Sequence, residues 1–386
     1  MYLPNYKDGS IVNLMSSISG AFGLRTKYKP LKILNPSELK SKNIVLIVID
    51  GLGYDYLMNH KKDNILKQNL KGKMTSVFPS TTAAAIPVFL TGVPVQQHAL
   101  TGWFMYLKEI GAVSTILPFI TRVNPYPLSE SGVNPKKIFT EKSFFDKIKV
   151  TSYFIQDETI AYSDFSLSHK GKSKLLPFKK SSLNSFFRQI KKAIKSSNRR
   201  KYIYAYWSDF DSMCHAYGTK STKTNKHFSE INKKLESFIK SIEKTDTTVI
   251  VTADHGFIDS DKSKLIDLKK HPKLADSIII PLCAERRLAY CYVRPSKTKQ
   301  FEDYVENNLK HACYLYKSND LIKKNYFGLF KPNKKLFDRV GDYTLIMKEN
   351  YVIMDSILGE KRSFHIGNHG GVSKQEMYVP LVIIKK

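Results

Sequence analysis

Only four of the 386 residues are cysteine, Cys214, Cys283, Cys291 and Cys313, and they form no C-x-x-C pair. That argues against a disulfide framework and predicts a reducing compartment. Long apolar runs are also missing: none approaches the roughly 18 residues that a membrane span needs. The opening MYLPNYKDGSIVNLMSSISGAFG has no long apolar core of a secretion signal. The expectation from these absences is a cytoplasmic protein without a membrane span. Acidic residues are scarce, 34 against 62 Lys and Arg, for a net charge of +28. The excess is mostly Lys and is scattered, without a dominant basic tail. A basic nucleic-acid or membrane binding protein, the alternative of a different class, would need a contiguous stripe with stacking aromatics. No stable nucleic-acid partner is therefore expected. Internal repeats and glycine-rich linkers are absent too, so domain boundaries are soft.

What is present is a large apolar fraction, 42%, in a chain long enough to bury a sizeable core. The organising stretch is KNIVLIVIDGLGY, Lys42 to Tyr54. Ile44 to Ile49 read as a central strand buried on both faces. Asp50 then falls at its C-terminal end, where open α/β sheets place their chemistry. The next dense signal runs from Ser76 to Trp103. Pro79 ends a strand, Ser80, Thr81 and Thr82 supply three hydroxyls, and Ala83 to Leu90 open a helix, with Pro87 assigned to its first turn. Such a helix start offers amide donors to an anion, although any one hydroxyl there is equally an N-cap.

Further along, Gly111 to Ile120 and Thr151 to Ile155 are predicted strands, with an irregular excursion on to about Ser182. Leu183, Phe186, Phe187, Ile190 and Ile194 mark an amphipathic helix, as do Phe228, Ile231, Leu235, Phe238 and Ile242. The strand Lys201 to Trp207 empties into SDFDSMCHAYG, and Thr247 to Thr252 empties into ADHG. Val379 to Ile384 is the last strand. Four histidines, His215, His255, His365 and His369, stand in contexts that suit ligation. Asp211 and His215 are four apart, so a helical turn sets them on one face. Asp254 and His255 are adjacent, with Gly256 allowing the backbone to turn. Carboxylates with imidazoles suit Zn²⁺, and Mn²⁺ or Fe²⁺ where carboxylates dominate. Cys214 reads as a small buried hydrophobe.

The set VIDG, FPSTT followed by LTG and a His, DSMCHAYG, TADHG and GNHGG, in this order, resembles the alkaline phosphatase superfamily, in its type I phosphodiesterase and nucleotide pyrophosphatase branch. The resemblance implies an α/β fold: a three-layer core with a central, mostly parallel sheet flanked by helices, and a cap insertion. Residues 1–258 and 360–386 would form the catalytic core and 259–359 the mixed cap that shapes the substrate pocket. It implies two divalent metal ions, Zn²⁺ first and Mn²⁺ second, about 4 Å apart. Asp50, Asp254 and His255, with Thr82 as the nucleophile they activate, match one ion's ligands; Asp211, His215 and His369 match the other's. Thr81 is the runner-up nucleophile, and Asp209 a candidate supporting carboxylate. The implied reaction is hydrolysis of a phosphodiester or pyrophosphate in a small anionic ester or nucleotide, through a phosphothreonine. One departure bears on substrate: the branch places an Asn, which holds a phosphate oxygen, where this chain has Trp103, a candidate pocket residue. No Arg clamp of the monoesterase kind is evident, Arg122 being the nearest guess. Monoester or phosphonate hydrolysis, and phosphotransfer or mutase chemistry on the same core, are the alternatives.

Overall fold

The computed structural model describes residues 1–60, 62–360 and 363–386. Its centre is a seven-stranded sheet in the order Leu70–Thr75, Tyr378–Lys385, Thr247–Thr252, Asn43–Ile49, Lys201–Trp207, Thr151–Asp157 and Lys174–Phe178. Tyr378–Lys385 pairs antiparallel with both neighbours, and the other pairings are parallel. The expected mostly parallel sheet is thus present. Asn43–Ile49 is buried at every position, as are its two neighbours in the sheet. That explains why apolar side chains fill the middles of these strands without charged residues alternating between them, since a parallel sheet covered on both faces has no solvent side to alternate with.

Register turns this sheet into a site. Ile49 lies opposite Trp207 and Val48 opposite Thr252, so three strands end at one level. Asp50 and Asp254 each follow two residues after that Val48–Thr252 pair, and helix Asp209–Tyr217 starts just past Trp207. Gly51 is required directly after Asp50: its φ is +73°, and a Cβ there would stand 2.3 Å from the Phe257 ring.

Helices Leu183–Lys195 and Thr222–Ser241 bury the predicted apolar stripes. Helix Ile11–Ala21 lines the core, and packs on helix Thr82–Thr91. Pro87 sits in the second turn of Thr82–Thr91, later than the sequence reading placed it. The helix absorbs the lost amide because it is buried throughout and held by tertiary contacts. The carbonyl of Ala84 there accepts from Nε2 of the buried His98 at 3.1 Å, while His98 Nδ1 accepts from Leu100 N at 3.0 Å. His98 is therefore held neutral. Burial first, then the charges of His169 and Arg339, push its pKa down to about 3, against the Ala84 bond. The unfolded chain takes this proton first, near pH 6.5. The stabilisation is complete above that pH and lost as pH falls toward 3. One proton corresponds to about 1.4 kcal/mol per pH unit. Urea titrations between pH 6 and 4 should show wild type losing stability more steeply than His98→Gln by about that slope; equal slopes would refute the assignment.

The second sheet also has seven strands, in the order Cys313–Lys317, Tyr343–Met347, Leu288–Cys291, Cys283–Ala284, Phe104–Leu107, Ala112–Thr115 and Ile120–Thr121. Three of them come from before residue 259, so the expected division at 259 cuts across this sheet. The strand predicted over Gly111 to Ile120 is two strands, because Pro118 and Phe119, at φ +57°, turn the chain between them. The irregular excursion holds an unforeseen strand as well, Lys174–Phe178. Its Pro177 is tolerated because this is a sheet edge.

Candidate active site at the strand ends

Asp50, 2% exposed, lies at the centre of one cluster with Asp254 and His255. His255 Nε2 is 3.3 Å from Asp50 Oδ1 and 3.4 Å from Asp254 Oδ2. Asp254 Oδ1 accepts from the amides of Gly51 and His255, each at 3.0 Å, which fixes the carboxylate and turns Oδ2 toward the site. Thr82, first residue of its helix, places Oγ1 3.0 Å from His255 Nε2 and 3.4 Å from Asp50 Oδ1. The hydroxyl of Tyr206 donates to Asp50 Oδ2.

A second cluster joins Asp211, His215 and His369. His215 Nε2 and His369 Nε2 are 3.2 Å apart, and they lie 3.5 and 3.7 Å from Asp211 Oδ1. The clusters touch: the rings of His255 and His369 stack at 3.8 Å, and ligand atoms of Asp211, His255 and His369 fall within 4.8 Å of one another. Both Nδ1 atoms are occupied outward, His215 toward the Gly367 carbonyl at 2.9 Å and His255 toward that of Gly256 at 3.1 Å. Donation there leaves the Nε2 lone pairs facing inward, as metal-ligating imidazoles require.

These residues fit divalent ions. Oδ1 of Asp211 and Oδ2 of Asp254 are buried with no hydrogen-bond partner among the described residues. An orphaned buried carboxylate oxygen is costly unless a cation meets it. Separations of 3.2 to 3.7 Å also match the edge of a tetrahedron of ligands around zinc, about 3.4 Å. The electrostatics agree. Burial, then the charges of Asp254 and Asp211, raise the Asp50 pKa well above its usual range, and burial with Asp254 and Glu285 does the same for Asp211. Burial and neighbouring imidazoles press His215 down to about 3, and His369 well below normal. Three crowded carboxylates with neutral imidazoles are suited to a shared positive charge.

The pocket beside the clusters holds about 300 Å³. Trp103 lines it, 36% exposed, together with Thr82 and with residues 282–286 and 353–355. Arg122 is in the wall but is already neutralised: its Nη2 bonds Asp355 at 2.5 Å and Glu360 at 3.0 Å, and its guanidinium covers the Phe104 ring. It is no open clamp for phosphate. Asp209 belongs to neither cluster and bears electrostatically on His227 instead. His365 lines the pocket with its ring 4.5 Å from that of His215.

Two contributors escaped sequence reasoning. Tyr206 left only its place one residue before a strand's end as a clue. Glu285 left none. Its Oε1 accepts from the Thr81 hydroxyl at 2.6 Å and the Trp103 amide at 2.8 Å, and burial raises its pKa to about 7. Thr81, the alternative nucleophile, is thereby engaged elsewhere.

The sequence profile described as type I phosphodiesterase / nucleotide pyrophosphatase matches residues 44–372, spanning every element of this site up to His369. The chain belongs to that family. Among curated proteins, human ectonucleotide pyrophosphatase/phosphodiesterase family member 5 is 23% identical over 385 residues, covering 92% of this chain and 70% of that protein. The murine family member 5 structure shares the fold with a TM-score of 0.67 at 17% identity, over 88% of this chain and 87% of that one. An inactive variant of it was solved with AMP and superposes equally well. Phosphonoacetate hydrolase from Sinorhizobium meliloti, in complex with phosphonoformate, has a TM-score of 0.63 at 15% identity, over 88% and 89%. As a type I phosphodiesterase / nucleotide pyrophosphatase family member, the chain is a metal-dependent phosphoric ester hydrolase with a two-ion site.

One expectation is corrected by these relatives. The cytoplasmic location does not stand, because the human and murine family member 5 proteins that this chain resembles are named ectonucleotide pyrophosphatases/phosphodiesterases. The cysteine count was a poor guide, since all four thiols are buried and shielded from the redox state around them. No helix among the described residues is long and apolar enough to cross a membrane.

Proposed function

We propose that this protein hydrolyses phosphodiester or pyrophosphate bonds of small anionic esters, nucleotides among them, through a phosphothreonine on Thr82. The observation that carries the reading is the Thr82 hydroxyl, set within hydrogen-bonding distance of both His255 and Asp50 inside a carboxylate–imidazole cluster. Asp50, Asp254 and His255 would hold one ion beside Thr82, and Asp211, His215 and His369 the other. Two bound divalent cations, Zn²⁺ first and Mn²⁺ second on this donor set, supply Lewis acidity and lower the pKa of oxygen nucleophiles.

The chain's own part follows. Asp50 and His255 orient the Thr82 hydroxyl, whose proton is given up as its oxygen attacks phosphorus. The Thr82 oxygen–phosphorus bond forms and the ester oxygen departs on the opposite side. Water then attacks phosphorus, breaks the bond to Thr82, and frees the phosphorylated product. Tyr206 holds Asp50 in place from the strand behind it. Diester over monoester is favoured because Arg122, the candidate clamp for a dianion, is spent on Asp355 and Glu360.

The test is metal analysis by mass spectrometry on protein purified without chelator, with hydrolysis of bis-p-nitrophenyl phosphate and p-nitrophenyl phosphate. About two equivalents of Zn or Mn and a preference for the diester are expected. Chelation should abolish turnover, and resupplied metal restore it. Full metal occupancy with monoester preference would overturn the substrate class, and failure to bind metal would overturn the mechanism.

A further inference from the structure

Glu285 brings a carboxylate into the pocket beside Thr82. The carboxylate enters from the second sheet, next to strand Cys283–Ala284, and lines the same pocket as Thr82, Asp211 and Trp103. Its Oε1 takes the hydroxyl proton of Thr81, the residue just before the nucleophile, and the backbone amide proton of Trp103. Its Oε2 takes no hydrogen bond from the described residues. A Cβ on Gly370 would come within 2.7 Å of the Glu285 Cβ, so the loop carrying His369 also packs against this side chain. Glu285 is wedged between the nucleophile's helix start, the Trp103 loop and the His369 loop. Thr82, Trp103 and His369, one from each, line the pocket that a phosphoryl group attacked by Thr82 would enter.

Trp103 and Glu285 add little donation to this wall, and its nearest cation is Arg286, the next residue in the chain. Trp103 has only an indole N–H on its side chain, and its backbone amide is consumed by Glu285. A carboxylate acceptor facing an anionic oxygen is repulsive, and the repulsion grows with the charge on the phosphoryl group. A monoester above neutral pH presents two negative charges to this wall. A diester presents one, its second ester substituent being uncharged.

We propose that Glu285 is the specificity-determining residue that makes this site reject dianionic phosphoryl groups, so that diesters are selected by charge. The inference rests on the diesterase reading above. It gives the carboxylate a role beyond holding Thr81 and Trp103, since glutamine could accept both bonds without carrying charge.

The experiment compares methyl p-nitrophenyl phosphate with p-nitrophenyl phosphate on the metal-loaded full chain at pH 8.5. The two share a leaving group and differ in charge. In Glu285→Gln, kcat/KM for the monoester should rise at least about tenfold relative to the diester, with metal content and melting temperature unchanged. A ratio that stays fixed while both substrates slow together would make Glu285 a merely structural contact and overturn the proposal. Calorimetry on wild type supplies a readout independent of turnover and of the variant's folding. Methyl phosphate dianion should bind no tighter than dimethyl phosphate monoanion, and a dianion preference above about tenfold would overturn the inference. Wild type that binds two ions yet leaves the diester uncleaved would overturn the diesterase reading itself; a cleaved diester with an unmoved ratio overturns the role of Glu285 alone.

Discussion

Replacing Thr82 with alanine is expected to lower kcat/KM for a phosphodiester by at least about a thousandfold, with both ions still bound. The size of the effect follows from the loss of the nucleophile, for which no neighbour substitutes. Thr81 is one residue away, but its hydroxyl is held by Glu285 at 2.6 Å and lies outside the Asp50–His255 cluster. The fold should tolerate the change. Thr82 is the first residue of a helix, its hydroxyl caps nothing, and alanine is the best helix former. Thr82→Ser should keep measurable turnover, since it keeps the hydroxyl. Thr81→Ala, which frees Glu285, should cost far less than Thr82→Ala. Intact-mass measurement after an acid quench should find the phosphoryl adduct on wild type and not on Thr82→Ala. An alanine variant within tenfold of wild type would remove Thr82 from the mechanism.

The sequence made the carboxylate–imidazole clusters legible because parallel strands with level ends bring their following residues to one edge. Asp50, Asp254 and the Asp211–His215 pair each follow a strand that is apolar for a local reason, burial on both faces. Local pattern therefore sufficed to place them. The rest of the pocket obeys no such rule. Glu285 and Arg286 reach it from the second sheet, where Ala284 pairs with the distant Phe104, and Asp355 follows a strand, Val352–Met354, that pairs separately with Leu265–Asp267. Nothing near Glu285 in the chain announces that its oxygen will meet Thr81. The edge strand Lys174–Phe178 was obscured by a proline that only an edge position permits. Trp103 lay between these cases. Its position in the motif marked it as a pocket residue, while the carboxylate that takes over its amide came from the other side of the fold.

The same second sheet fastens the loop that bears His369, and cutting that connection should have the largest effect on stability. Arg287 and Glu376 form a pair 1% and 0% exposed, with Arg287 Nε and Nη2 donating to the two Glu376 oxygens at 3.2 and 3.1 Å. Glu376 also accepts from the amides of Gly371 and Ser373, and its backbone carbonyl accepts from Gly256. It thus anchors the loop bearing His369 and the turn after His255 together. Burial alone would raise its pKa, but the Arg287 charge and these hydrogen bonds hold it below the usual value. The pair's stabilisation is therefore present above about pH 4.3, and fades as pH falls through the lowered folded value. Arg287→Met should cost about 3–5 kcal/mol in urea unfolding at pH 7, because it strands a buried carboxylate. Adding Glu376→Gln to Arg287→Met should recover part of that loss, since no unpaired charge then remains. His369 loses its backing in the single variant, so chelator should strip one ion much faster than the other. A loss below about 1 kcal/mol, with both ions released at wild-type rates, would show that the loop holds His369 without the second sheet.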